Sequence, residues 1–200
     1  MKKFELTTET KICDGRTLYR IKALESLGGV CAGDLGGWVE KEKNLSHGGN
    51  AWVSGNARVY GNAWVSGNAR VYGDAWVSDN ARVYGDAWVY GDARVYGDAW
   101  VSGNAWVSGD ARVSRDEHVM WISRIGSRNG TTTFFATKTG IFVNCGCFSG
   151  SLEAFAAAVD KNHGDSEHGK AYRLAIELAK LRINLPEEEY CGLAGREGAA

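Results

Sequence analysis

Two short stretches in the last third of the chain hold residue types that bind ions. Cys145-Gly146-Cys147, taken with His163, His168 or Cys191, offers the thiolate and imidazole ligands that zinc prefers. Residues two apart on a strand face the same side, so the alternative is that both thiols simply pack against a following helix. The stretch Gly126-Ser127-Arg128-Asn129-Gly130, with Arg124 and Lys138 near it, has the glycines that let successive backbone N–H groups curl around an anion. An Asn-Gly hairpin turn with solvated arginines explains the same residues without a ligand. Between these stretches and the N-terminus, tryptophan stands at 52, 64, 76, 88, 100 and 106 and arginine at 58, 70, 82, 94 and 112. Indole and guanidinium faces at regular spacing could stack carbohydrate rings or bases, or could stack on one another.

The elements that must position these residues are dictated by a repeat. From Gly49 to Met120 the chain divides without a gap into twelve six-residue blocks, beginning GNAWVS GNARVY and ending GDARVS RDEHVM. Valine occupies the fifth place in all twelve, Asn or Asp the second place in all twelve, and alanine the third place in eleven, Glu117 being the exception. Such self-similarity is the signature of a solenoid. Within a block, Ala-Trp/Arg-Val-Ser/Tyr alternates with the period of a strand. Alanine and valine therefore face inward, while Trp or Arg and Ser or Tyr face outward. Gly followed by Asn or Asp supplies the residues that adopt positive φ most cheaply, so each block ends in a corner. One block cannot bury its valine alone, and coils must stack so that the backbone groups of one pair with those of the next.

Written as Val53-Ser-Gly-Asn-Ala-Arg58, the block resembles the hexapeptide repeat of left-handed parallel β-helices. That resemblance implies 18-residue triangular coils of three hexads, a left hand, and association into trimers. Leu35-Gly-Gly-Trp-Val-Glu40 and Lys41-Glu-Lys-Asn-Leu-Ser46 read as two degenerate hexads, with His47-Gly48 as a two-residue interruption. With eighteen residues per coil, the outer residues form three ladders: Trp52, Arg70, Trp88, Trp106; Arg58, Trp76, Arg94, Arg112; and Trp64, Arg82, Trp100, His118. Guanidinium and indole then mostly alternate at the ~4.8 Å spacing of neighbouring strands. A two-sided coil of twelve residues remains an alternative; it would stack Arg on Arg along one face. Six outward tryptophans suggest that part of this surface is covered by a partner.

The flanks read differently. Residues 1–34 read as a hairpin, Lys3 to Thr7 and Thr17 to Leu24 around an Asp14-Gly15 turn, covering the first coil. The repeat module runs over 35–120. Residues 121–185 form an α+β module. Val119 to Arg128, Thr131 to Thr137 and Gly140 to Cys145 give a three-stranded meander. Two helices follow. The first is capped by Ser151 and carries Leu152, Phe155, Ala156 and Val159; the second spans about Glu167 to Asn184. The second helix has two apolar stripes, Leu174, Leu178, Leu181 and Tyr172, Ile176, Ile183, which predicts burial on both sides. Residues 186–200 read as a mobile acidic tail. The fold class is thus mainly β: a left-handed parallel β-helix with an N-terminal hairpin cap and a C-terminal α+β module.

The order of parts, including GDLGGWVEKEKNLS, IGSRNGTTTFF and GCFSGSLEAF, resembles hexapeptide-repeat proteins of phages and prophages, some loosely labelled acyltransferases. That resemblance implies a bacterial host cell as the setting. Hexapeptide acyltransferases use a histidine as general base. Of the four histidines here, His47 at the interruption is the least poor candidate, and no loop is thrown out beside it.

Composition narrows the classes. Lys plus Arg total 23 against 24 Asp plus Glu, a formal charge of -1, so a nucleic-acid partner or a membrane surface has no electrostatic support. No apolar run reaches the ~20 residues of a spanning helix, and the first residues lack a secretory h-region. A cytoplasmic location follows, and five scattered cysteines favour reduced thiols. The expectation is a non-catalytic scaffold without cofactor that self-associates, a trimer being favoured, and binds a protein partner. Acyl transfer and capture of a nucleotide or other small ligand are the alternatives.

Overall fold

A computed structural model describes residues 2–186 of the chain. β1 (Phe4–Cys13) and β2 (Arg16–Ala23) form an antiparallel hairpin whose turn residues Asp14 and Gly15 both take positive φ, 49° and 71°. β1 runs well past Thr7, because a bulge between Leu6 and Thr10 lets pairing resume beyond the break. β3 (Leu35–Val39) pairs antiparallel with β2 and parallel with the strand at Arg58. The hairpin is therefore continuous with one wall of the solenoid.

β4 to β14 are eleven two-residue strands, one per hexad, from Trp52–Val53 to Arg112–Val113. Trp52 pairs with Arg70, Arg58 with Trp76 and Trp64 with Arg82, always parallel and eighteen positions apart. This register excludes the twelve-residue coil and gives three walls per coil. In the first coil Val39 meets Val59 and Leu45 meets Val65, twenty positions apart, because His47-Gly48 lengthens that coil by two. Every valine and alanine from Ala51 to Val113 at the inward places is buried to within 1%. At the corners, coils approach so closely that a Cβ on Gly85, whose φ is +72°, would lie 2.9 Å from the backbone nitrogen of Gly103.

Stacking coils leaves unpaired backbone groups at each end, and side chains supply the missing partners. Between coils, the N–H of the outward residue donates to the alanine carbonyl of the next coil, as Trp52 does to Ala69 at 3.0 Å. The first coil of regular hexads therefore presents the alanine carbonyls of 51, 57 and 63. Ala57 accepts from the Trp38 N–H at 2.9 Å. Ala63 accepts from Nδ2 of Asn44 at 2.8 Å, and Ala51 from Nζ of Lys3 at 2.8 Å. At the other end, the Trp100 N–H donates to Oδ1 of Asp116 at 2.9 Å and the Trp106 N–H to Oγ1 of Thr133 at 3.0 Å. The Trp106 carbonyl accepts from Nδ2 of Asn144 at 3.0 Å. Each such group left unpaired in the interior would cost about 1–3 kcal/mol.

The last hexad of the repeat does not form a strand of the solenoid; Val119 and Met120 instead open the sheet that follows. Its residues Asp116–His118 make a 3-10 turn, and His118 is buried at 4% exposure with Nδ1 within 3.2 Å of the Ser114 N–H. The outward ladder place assigned to His118 is thus corrected: the chain turns inward here to let Asp116 cap the coil. Desolvation holds the imidazole pKa below its ordinary value.

β15 (Val119–Ile125), β16 (Gly130–Ala136), β17 (Ile141–Cys145) and β18 (Phe148–Ser151) form an antiparallel sheet in that order. The meander has four strands rather than three, and β15 ends at Ile125, so that the turn is the four residues 126–129 instead of Asn129-Gly130. The fourth strand went unread because it contains only Phe148 as a β-former and passes straight into the Ser151 cap. α1 (Leu152–His163) starts where Ser151 Oγ accepts from the Ala154 N–H and stops at Gly164, φ 48°. α2 (Glu167–Arg182) is capped by Ser166. A second apolar cluster joins this sheet and both helices through Phe134, Val143, Phe155, Val159, Tyr172 and Ile176. Burial on both sides of α2 is not observed. Tyr172, Ala175, Ile176, Ala179 and Ile183 are buried, whereas Leu174 is 73% and Leu181 81% exposed. Beyond Pro186, the acidic tail and Cys191 lie outside the described residues.

Candidate functional site

The turn between β15 and β16 begins at Gly126, φ +75°, where a Cβ would collide with the hydroxyl of Tyr172. Glycine is required because the ring of α2 packs directly on the loop backbone. The Tyr172 hydroxyl reaches Sγ of Cys145 at 3.5 Å, and that sulfur also accepts from Oγ1 of Thr132 at 3.1 Å. Burial first, then the Cys145 contact, pushes the Tyr172 pKa up. The turn, the start of β18 and α1 enclose a pocket of about 290 Å³ around this hydroxyl. Its floor is apolar, with Ile125, Phe148, Phe155 and Val159, and its polar lining includes Ser127, Arg128, Asn162, His163 and Cys147. Among the described residues no carboxylate lines it, and Arg128 supplies the positive charge. Such a cavity suits a small molecule with a flat or aliphatic body and an anionic or acceptor group at one end.

This pocket joins residues that the sequence suggested for separate roles. Ser127 and Arg128 come from the anion-binding stretch, and Cys145, Cys147 and His163 from the zinc reading. Arg124, Asn129 and Lys138 do not line it. The first two instead carry positive φ, 59° and 53°, and shape the turn. The zinc geometry is corrected: β17 ends at Cys145, Gly146 turns the chain with φ +59°, and Cys147 lies exposed beyond the turn. The two thiols are therefore not on one face of a strand. Among the described residues no group of three or more His, Cys, Asp or Glu side chains could hold a metal ion.

His47 is engaged at both ring nitrogens. Nδ1 lies 3.3 Å from the Lys3 N–H and Nε2 lies 2.7 Å from Oε1 of Glu42, while the ring stacks on Phe4 with centroids 4.4 Å apart. A histidine oriented by a glutamate has the form of a general-base pair. Here the nitrogen that would take a substrate proton already accepts from the backbone, so the arrangement fastens the N-terminus to the first coil. Lys2 and His47 together hold the Glu42 carboxyl below its usual range.

The outer ladders separate into covered and open faces. Arg58 and Arg94 stack on Trp76 from either side, at 4.8 and 4.6 Å from the ring. Arg82 covers Trp100 at 5.2 Å. In the remaining ladder Trp88 stacks on Trp106, centroids 5.3 Å apart, and Arg70 reaches instead to the carbonyl of Gly28. Trp52 is buried. Arg112, next to Arg94, bends to the carbonyls of Asp110 and Ala111. The open wall is Trp64, Arg82 and Trp100, all exposed. Sequence reasoning missed Lys3, Asn44, Asp116, Thr133 and Asn144, since nothing local distinguishes a capping side chain from an ordinary polar one.

No helix among the described residues is long and apolar enough to cross a membrane. No curated protein matches the chain. Residues 51–67, 63–79, 75–91 and 87–109 match the sequence model of the family described as YdcK Beta solenoid repeat, and the middle of this chain is similar to that repeat, as its stacked parallel coils require.

Proposed function

We propose that this protein is a non-catalytic scaffold: a β-solenoid that self-associates, as a trimer in the favoured form, and presents its C-terminal module and open Trp64–Arg82–Trp100 wall to a protein partner. The single observation that carries the reading is the row of exposed leucines on α2, Leu174, Leu178 and Leu181, on a helix whose other face is fully packed. Apolar side chains grouped on one exposed face mark a surface that another molecule covers. The closed solenoid supplies rigidity, so the modules are held at fixed positions in an assembly. The resemblance to phage and prophage proteins supports the cytoplasm of a bacterial host as the setting and a host protein as the partner. Sedimentation over a range of concentrations tests self-association: a concentration-dependent oligomer is expected, and a monomer at every concentration overturns the reading. Stoichiometric recovery of one host protein, repeated with the purified partner and lost in Trp64→Ser/Trp100→Ser, tests the display surface.

The pocket beside Arg128, which no carboxylate of the described residues lines, favours a second reading, capture of a small anionic ligand. Calorimetry with cyclic and adenine nucleotides tests it; heat that saturates at one ligand per chain and disappears in Arg128→Ala supports capture, and no heat with any of them removes nucleotides from consideration. Acyl transfer requires His47 to release the Lys3 N–H. Acetyl-CoA turnover in the wild type that vanishes in His47→Ala would replace the scaffold reading with an enzyme.

A further inference from the structure

The exposed stripe of α2 has a spacing of its own. Leu174, Leu178 and Leu181 follow one another at intervals of four and three, and Ala171 continues the series at three in the other direction. A stripe laid on a sheet or a globular surface is broader, whereas alternation of three and four is the seam at which one helix packs along another. α1 is not that second helix. It lies against the buried face, where the rings of Phe155 and Tyr172 are 5.4 Å apart.

The charges beside the seam select the partner and its direction. Glu177 stands just before Leu178 and Arg182 just after Leu181, the flanking positions whose charges set partner and orientation in a helix pair. When two copies of α2 run parallel and in register, Glu177 of each falls opposite Arg182 of the other, and symmetry repeats the pair. In an antiparallel arrangement, like flanking positions face each other, so no register sets Glu177 against Arg182, and the one that centres the leucines brings the two Glu177 side chains together. Among the described residues of the single chain Glu177 pairs with Lys180, one turn away on the exposed surface, at 2.8 Å.

We infer that the exposed face of α2 is a parallel, in-register seam against α2 of further copies of this chain. The inference rests on the proposed self-association and names its surface. Parallel helices in register meet about a rotation axis that runs along them, so the assembly is cyclic and closed, as a trimer would be. The seam is short, about two turns, and makes association depend on concentration.

Charge exchange tests it. By sedimentation, Glu177→Arg and Arg182→Glu are each expected to weaken association about three- to tenfold, the range for a few exposed ion pairs, and the double exchange to restore it. Leu174→Ser/Leu181→Ser is expected to give monomers whose far-ultraviolet spectrum matches the wild type and whose thermal midpoint no longer depends on concentration. Direction is read by cross-linking in a chain whose Cys31, Cys147 and Cys191 are serine. Leu174→Cys and Leu181→Cys should each form a disulfide with its own kind, whereas an antiparallel seam would join them only when the two are mixed, which overturns the inference. An oligomer indifferent to the leucine and charge changes also overturns it and leaves self-association standing. A wild-type monomer overturns both.

Discussion

Nζ of Lys3 donates to the carbonyl of Ala51 at 2.8 Å and lies 3.3 Å from that of Gly49, although the two ends of this contact are 48 positions apart in the chain. The ammonium stands where a preceding coil would have offered a backbone N–H, and only 1% of the residue is exposed. Replacing it by an isosteric apolar chain leaves the carbonyl buried and unpaired. Lys3→Met is expected to lower unfolding free energy by about 1–3 kcal/mol in urea, with the far-ultraviolet spectrum unchanged.

The same contact has a pH signature. Burial pushes the Lys3 pKa down from 10.5 to about 8 against the opposing pull of Glu25. Between pH 8 and 10.5 the unfolded chain holds a proton that the folded chain has released, so stability contributed at this site rises with pH in that window. The stability difference between wild type and Lys3→Met should therefore shift toward wild type from pH 7.5 to 9.5, by about 1–2 kcal/mol at most. A difference independent of pH would contradict the burial of the charged amine.

Inside and outside of one strand should respond unequally. Val83 is fully buried, while Arg82 beside it is exposed and lies over Trp100. Val83→Ala is expected to cost about 2 kcal/mol through lost transfer energy and an unfilled cavity. Arg82→Ala should cost less than about 1 kcal/mol, the scale of an exposed cation–π contact. Thermal denaturation of the two variants decides the order.

Two glycines at the ends of one turn give a sharper contrast. A Cβ on Gly126 meets the Tyr172 hydroxyl and must be held at φ +75°, while a Cβ on Gly130 meets nothing within 4 Å. Gly126→Ala is expected to destabilise the C-terminal module by more than about 2 kcal/mol, and Gly130→Ala to change it by less than about 1 kcal/mol. Amide exchange in α2 would report the difference directly.

Thiol reactivity should follow exposure. Cys31 and Cys147 are exposed, Cys145 is half-buried behind Thr132 and Tyr172, and Cys13 is buried. A thiol reagent read out by peptide mapping should modify Cys31 and Cys147 well before Cys13, and modification of Cys147, which lines the pocket, should weaken any ligand held beside Arg128.

The hexad by itself determined the middle of this protein. Valine at every sixth place, alanine two places before it and a glycine corner are local statements that set strand, corner and inward face, whereas the eighteen-residue register was implied by the resemblance and is decided by the pairing of Arg58 and Arg94 with Trp76. The helix start at Ser151 was legible for the same reason, since a cap is read from a few neighbouring residues. The tertiary structure decided what closes the repeat and what it displays. Lys3, Asn44, Asp116 and Thr133 act on backbone groups that no local pattern marks. The fourth strand, the turn that parts Cys145 from Cys147 and the pocket at Tyr172 arise where single segments meet once. The two apolar stripes of α2 predicted burial of both Leu174 and Ile176, and only the position of the sheet and α1 chooses Ile176.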